Sequence, residues 1–267
     1  MFRDLMLQAA KNGGRILLDY FGRDIGCATK ESKSSIVTQA DIESEKVILE
    51  VIQNELPGHN YIAEESGFVN NDAQYTWVID PLDGTSNFAA GIEWFGVMIA
   101  LLEGNVPIMG CMYLPCSDVM YVSEKGSGVR RNGQRVSVSR ETKLENILCA
   151  YCMDYHRNPE ITRSQGLAVG MLASQVRNIR ATNCLVDFCF TIDGRFGACI
   201  NRATKIWDIA PVALMLEEAG GILTDLHGEK INFDLTANYL KTYQVMAANH
   251  DIIAQLLGIG FLSENID

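Results

Sequence analysis

The chain has 267 residues, 48% of them apolar and 21% charged, with a formal net charge of −11. This length suffices for one large core and forces no second domain, so a single domain over residues 1–267 is expected. The acidic balance argues against general affinity for nucleic acid or anionic membrane, so neither is expected as a partner. It also means that an anionic ligand would need a cation or local dipoles to offset repulsion.

No run approaches the ~18 apolar residues of a membrane span. The opening Met1-Phe-Arg-Asp-Leu lacks the basic and apolar parts of a signal peptide. Eight cysteines then read as reduced core residues, and a cytoplasmic protein is expected.

Apolar spacing predicts a first amphipathic helix over 4–21, ended by Gly22. Residues 23–38 are polar and irregular. A second helix is predicted from Asp41 to Leu56, with Ile42, Ile48, Val51 and Ile52 on its buried side, Asp41 as its N-terminal anion, and Pro57-Gly58 as its stop. Tyr61-Ile62-Ala63 reads as a short strand leading into Glu64-Glu65-Ser66. Tyr75–Ile79 reads as a buried strand stopped at Asp80-Pro81, because proline cannot continue a ladder. Phe95–Leu102 and Val106–Leu114 predict a hairpin turned at Glu103-Gly104-Asn105, followed by strands at Val119–Ser123 and Gly128–Val138. Residues 141–165 are mixed, 166–176 are predicted helical, and Phe188–Ile200 reads as strand, turn at Asp193-Gly194, strand. A strong helix signal covers Ile206–Ala219, with Gly220-Gly221 after it, and Ile222–Asp225 follows as a strand. This order suggests an α+β layered fold rather than a doubly wound sheet.

The chemistry concentrates in Asp80-Pro-Leu-Asp-Gly-Thr-Ser-Asn-Phe88. Two carboxylates at a strand end offer oxygen ligands to a hard cation, and the helix start after Gly84 offers backbone N–H groups to an anion. A phosphate bridged by a cation would use both. Glu64-Glu65 after a strand and Asp208 at a helix start are further candidate ligands. Taken singly, each has an ordinary reading as a turn, cap or surface acid. Cys149-Ala-Tyr-Cys152 has redox or zinc spacing but no second pair, and reads as structural. Trp94-Phe95 reads as core, or as packing beside the site.

That nonamer, preceded by Trp77-Val-Ile, resembles the signature of the inositol monophosphatase family. Trp207-Asp-Ile-Ala-Pro…Glu218-Ala-Gly-Gly resembles its second signature, and Glu64-Glu65-Ser66 and Lys30…Val37-Thr38…Asp41 resemble its earlier elements. The resemblance implies a layered α-β-α-β-α sandwich and a Mg²⁺-dependent, lithium-sensitive phosphomonoesterase, with a homodimer as a family expectation. It implies Mg²⁺ ligation by Glu64, Asp80, the Leu82 carbonyl, Asp83 and Asp208. Thr85, with Asp41 or Glu64, would activate the attacking water, the Gly84 and Thr85 amides would hold phosphate, and Lys30 would lie near the metal loop. The alcohol-binding residues depart from the family pattern. Asn201 or Ile200 stands where a glutamate is usual, and of the usual Gly-Ser/Thr-Ala-Ala stretch only Thr182 keeps its type. Asn201 and Arg202 are candidates for a second anionic group or another polyol. The partner implied is a small phosphorylated metabolite: inositol 1-phosphate first, with histidinol phosphate, fructose 1,6-bisphosphate and 3′-phosphoadenosine 5′-phosphate as alternatives. The rival class is a non-catalytic regulatory protein on the same fold, since some bacterial relatives contact transcription machinery.

Overall fold

The computed structural model describes residues 1–23, 28–29, 36–236 and 239–259. In chain order these form α1 (Phe2–Tyr20), β1 (Ala28–Thr29), β2 (Ile36–Val37), α2 (Gln39–Glu55), β3 (Asn60–Ala63), β4 (Gly67–Val69), β5 (Tyr75–Asp83), α3 (Thr85–Ala89), β6 (Gly96–Glu103) and β7 (Val106–Leu114). There follow β8 (Val119–Glu124), β9 (Val129–Arg131), β10 (Gln134–Val136), β11 (Leu148–Cys152), α4 (Pro159–Ala173), β12 (Asn178–Arg180), α5 (Leu185–Ile192), β13 (Ala198–Thr204), α6 (Ile206–Glu218), β14 (Ile222–Thr224), β15 (Tyr243–Ala248) and α7 (His250–Gly258).

An eight-stranded sheet has the order β10-β9-β8-β7-β6-β5-β3-β4, and a five-stranded sheet the order β12-β11-β13-β15-β14. Strand alternation sends successive side chains to opposite faces, and the buried clusters sort accordingly. Trp77, Ile79, Ile99, Leu101 and Cys111 face α1 and α2 through Leu5, Met6, Ala9, Leu17, Ile48 and Ile52. From the other face, Val78, Met98, Ala100 and Met112 meet α5 and α6, which also cover Ala150, Cys199, Val245 and Ala247 of the second sheet. Cys149, Tyr151, Ile200 and Met246 on that sheet's outer face pack on α4 and α7 through Ala168, Leu172, Ile252 and Leu256. The five layers are therefore α-β-α-β-α. At Gly13, an added Cβ would lie 2.7 Å from Ile48 Cδ1, so a side chain there would push α1 off α2. Among the described residues no helix is long and apolar enough to cross a membrane.

Several local readings change. Phe188–Ile192 is not a strand but part of α5, whose apolar residues surround the whole helix because the middle layer is covered by a sheet on each side. The fourth helix begins at Pro159 rather than 166, since the Asn158 side chain accepts from Glu160 N–H at 3.0 Å as an N-cap. Ile42 is exposed, one position off the buried stripe of α2. In Trp94-Phe95 only Phe95 is core, Trp94 being 49% exposed. The thiols of Cys149 and Cys152 belong to different core clusters on opposite faces of β11, so they cannot grip one ion.

Candidate active site

β5 does not stop at Asp80-Pro81 but runs on to Asp83 through a bulge. Pro81 has no N–H to give the ladder, and pairing passes from Asp80↔Met98 to Asp83↔Gly96, so two residues of β5 oppose one of β6. Residues three apart on a regular strand point to opposite faces, and the extra residue turns Asp80 and Asp83 to the same side. Ser44 Oγ of α2 pins the bulge by donating to the Pro81 carbonyl at 2.9 Å. Leu82 buries its side chain, donates its N–H to Asp80 Oδ1 at 3.0 Å and presents its carbonyl to Thr85 Oγ1, also at 3.0 Å. Gly84 then turns the chain at φ 89°, and an added Cβ would lie 2.7 Å from the Trp94 carbonyl, so glycine is required there. The helix that follows, α3, has only five residues.

Asp208 reaches the same place from the start of α6, where its Oδ2 accepts the Lys205 N–H at 2.7 Å. Ligand-capable oxygens of Asp80, Asp83 and Asp208 all lie within 4.8 Å of one another. Burial pushes Asp208 up to about 7 and holds Asp80 and Asp83 well above the ordinary carboxylate range, with mutual repulsion and the Glu64 charge adding to it. The Leu185 N–H, donated to Asp83 Oδ1, opposes this in part. Three clustered carboxylates whose burial and mutual repulsion oppose ionisation could hold a hard divalent cation, whose charge would cancel that repulsion.

Around the cluster, Asp41 occupies the third position of α2 as half of a capping box. Its Oδ2 accepts from Thr38 N at 2.8 Å and Oγ1 at 2.6 Å, and its Oδ1 accepts from Thr85 Oγ1 at 3.2 Å. Burial raises it to about 6. Glu64 lines the cavity without joining the 4.8 Å set, and the turn that carries it is clamped by buried Glu45, whose two oxygens accept from Glu65 and Ser66 N–H at 2.7 and 2.8 Å. Gly84, Thr85 and Asn201 also line this cavity of about 680 Å³. Thr182 is not in its wall. It is held behind it, donating its N–H to Asp187 Oδ2 at 3.0 Å and accepting from Asn87 Nδ2 at 2.9 Å. Lys30 lies outside the described residues.

Sequence reasoning passed over Glu45, Asp154, Gln165, Asp187, Lys205 and Gln244. For Glu45 and Asp187 a signal was available, since each is an acid on the apolar face of its helix. Gln165 and Gln244 had none, because their place at the cavity depends on how α4 and β15 pack.

A sequence profile described as the inositol monophosphatase family matches residues 2–259. The chain is 29% identical over 257 residues to a protein named Nus factor SuhB from Haemophilus influenzae, covering 95% of this chain and 93% of that one. It is 31% identical over 252 residues, 93% of this chain and 92% of the other, to a fructose-1,6-bisphosphatase/inositol-1-monophosphatase of Aquifex aeolicus. The crystal structure of extragenic suppressor protein suhB from Bartonella henselae superposes with a TM-score of 0.88 at 29% identity, covering 99% of each chain. On its profile match, its fold and its carboxylate geometry together, this chain belongs to the inositol monophosphatase family.

Proposed function

We propose that the protein is a Mg²⁺-dependent phosphomonoesterase acting on a small phosphorylated metabolite. The observation that carries this is the convergence of Asp80, Asp83 and Asp208 within 4.8 Å, beside a hydroxyl–carboxylate pair and the backbone N–H groups that follow Gly84. Glu64, the Leu82 carbonyl and the three aspartates are the residues that would hold the cations. Mg²⁺, when bound, supplies charge neutralisation for the phosphate and the leaving oxygen and lowers the pKa of the attacking water.

The chain's own part follows from hydrogen-bond directions. Thr85 Oγ1 takes a proton from the attacking water as it passes its own hydroxyl hydrogen to Asp41 Oδ1, 3.2 Å away, so that the carboxylate is the final acceptor. As the water oxygen bonds to phosphorus, the ester P–O bond breaks and its electron pair leaves with the alcohol oxygen, which takes up a proton to give free alcohol and inorganic phosphate. N–H groups at Gly84 and Thr85 face the phosphate oxygens in this reading, and Thr182 supports the wall rather than touching substrate.

Inositol 1-phosphate is the reference substrate, and a cytoplasmic homodimer is the setting the family resemblance suggests. Phosphate release with Mg²⁺ is expected to disappear with EDTA and to fall at least about a hundredfold in Asp83→Asn, since a metal ligand is lost. Unchanged release in that variant would refute the assignment. The name Nus factor on the Haemophilus influenzae relative favours a second reading, a transcription-associated binding role. Failure to release phosphate from any ester, together with Mg²⁺-independent binding to transcription components, would support that role instead.

A further inference from the structure

Asp187 is the third residue of α5 and is fully buried, yet it neither lines the cavity nor belongs to the set of clustered carboxylates. A buried carboxylate needs donors to replace water, and those it has lie outside its own helix. Its Oδ2 accepts the Thr182 N–H at 3.0 Å, the Asn183 N–H at 3.1 Å and the Cys152 thiol at 3.3 Å. Thr182 and Asn183 are the approach to α5, so the helix reaches back and fastens its own entry. Cys184, the N-cap residue, makes no side-chain cap of its own. The entry is also held from outside. Asn87 Nδ2 of α3 donates to the Thr182 carbonyl at 2.9 Å, and Asn183, at φ 53°, donates from Nδ2 to the Met153 carbonyl at 3.1 Å.

This fastening sets the direction of one N–H. Leu185 opens α5, so its N–H has no partner within the helix, and it is donated to Asp83 Oδ1 instead. Ligand-capable oxygens of Asp83, Asp80 and Asp208 lie within 4.8 Å of one another, and repulsion alone would turn Asp83 away. An N–H at the positive end of α5 holds one of its oxygens in place. Resting on the phosphomonoesterase reading above, we infer that Asp187 is a positioning residue for the metal ligand Asp83. By fixing the entry to α5 it aims the Leu185 N–H at Asp83, and so presets that carboxylate for Mg²⁺. Asp187 itself touches neither cation nor substrate.

The test is the Mg²⁺ dissociation constant of the full-length, metal-free protein by titration calorimetry, with the Tm measured alongside. Leu185→Pro deletes the N–H: proline suits the first helical position, and Cys184 at φ −159°, ψ −179° is already extended, as a residue before proline must be. Leu185→Val trims the same buried side chain and keeps the N–H. The dissociation constant is expected to rise about tenfold or more in the proline variant, as loss of a metal ligand's outer partner does, and to stay near wild type in the valine variant. Asp187→Ala is expected to match Leu185→Pro. Asp187→Asn restores binding, because its Oδ1 can stand where the carboxylate Oδ2 stood and accept the same donors. Either pair carries the test if a member of the other does not fold. An unaltered dissociation constant in Leu185→Pro or in Asp187→Ala, whatever the Tm does, overturns the inference and leaves Asp187 a structural acid. Equal weakening within either pair overturns it too. In both cases Mg²⁺ binding by the wild type leaves the phosphatase reading standing. A wild type that binds no Mg²⁺ refutes that reading, and the inference with it.

Discussion

Asp41 closes the cap of α2 with one oxygen and accepts the Thr85 hydroxyl with the other, and burial sets its carboxyl at about 6 rather than 3.8. Proton acceptance needs the ionised form, so kcat is expected to fall as pH drops below about 6. Asp41→Asn is expected to lose that acid limb along with about 10²–10⁴ of rate. The same shift has an opposite sign for stability. The folded-state pKa exceeds the unfolded one, so the stabilisation is complete below about pH 4 and is lost as pH rises through about 6. A shift of about two units is worth about 3 kcal/mol. Urea titrations across that window should show the slope in the wild type and not in Asp41→Asn, and equal slopes would remove Asp41 as its source. Residue identity was legible because Asp80, Asp83, Thr85 and Asp208 stand in contiguous motifs. Their common side was not, because it depends on a bulge that Pro81 forces only when β6 is alongside.

At the scale of elements, α2 acts on the site three times, through Asp41, Ser44 and Glu45. These three lie one turn apart or less on a single buried face. Glu45 matters most for the Glu64 turn, since both of its oxygens hold backbone N–H groups. Glu45→Gln puts an amide donor against one of those N–H groups, leaving a buried donor unsatisfied at about 1–3 kcal/mol. Chemical denaturation should register that loss, and hydrogen exchange should quicken at Glu65 and Ser66 amides while the β6–β7 pairing stays protected. Unaltered exchange at those two amides would mean that the turn holds itself. Amphipathic elements such as α1 and α2 were legible because each has one wet face and one dry face, whereas the β6–β7 hairpin, buried on both faces, was legible as two apolar runs joined at a Glu103-Gly104-Asn105 turn. α5 was not, because a helix sandwiched between sheets shows no period, and Phe188–Ile192 then reads as a buried strand.

In the whole molecule, the carboxylates come from different layers: Asp80 and Asp83 from the first sheet, Asp208 from the helix layer between the sheets. Crowding their charges opposes folding, and a cation relieves it. Saturating Mg²⁺ is therefore expected to raise the Tm by about 5 °C or more, and EDTA to reverse the rise. An equal shift from NaCl at matched ionic strength would show general screening instead. The chain order of layers was legible from the alternation of patterns, but the second sheet was not, since β11 and β15 are short apolar runs whose partners lie far away in sequence. The spread of the triad has a kinetic corollary. Asp83 and Asp208 are separated by well over a hundred residues, a loop that closes only when the late-forming layers dock. A cation cannot template such a chain. It binds a finished architecture and acts as a latch, so Mg²⁺ is expected to slow unfolding while leaving the refolding rate as it was.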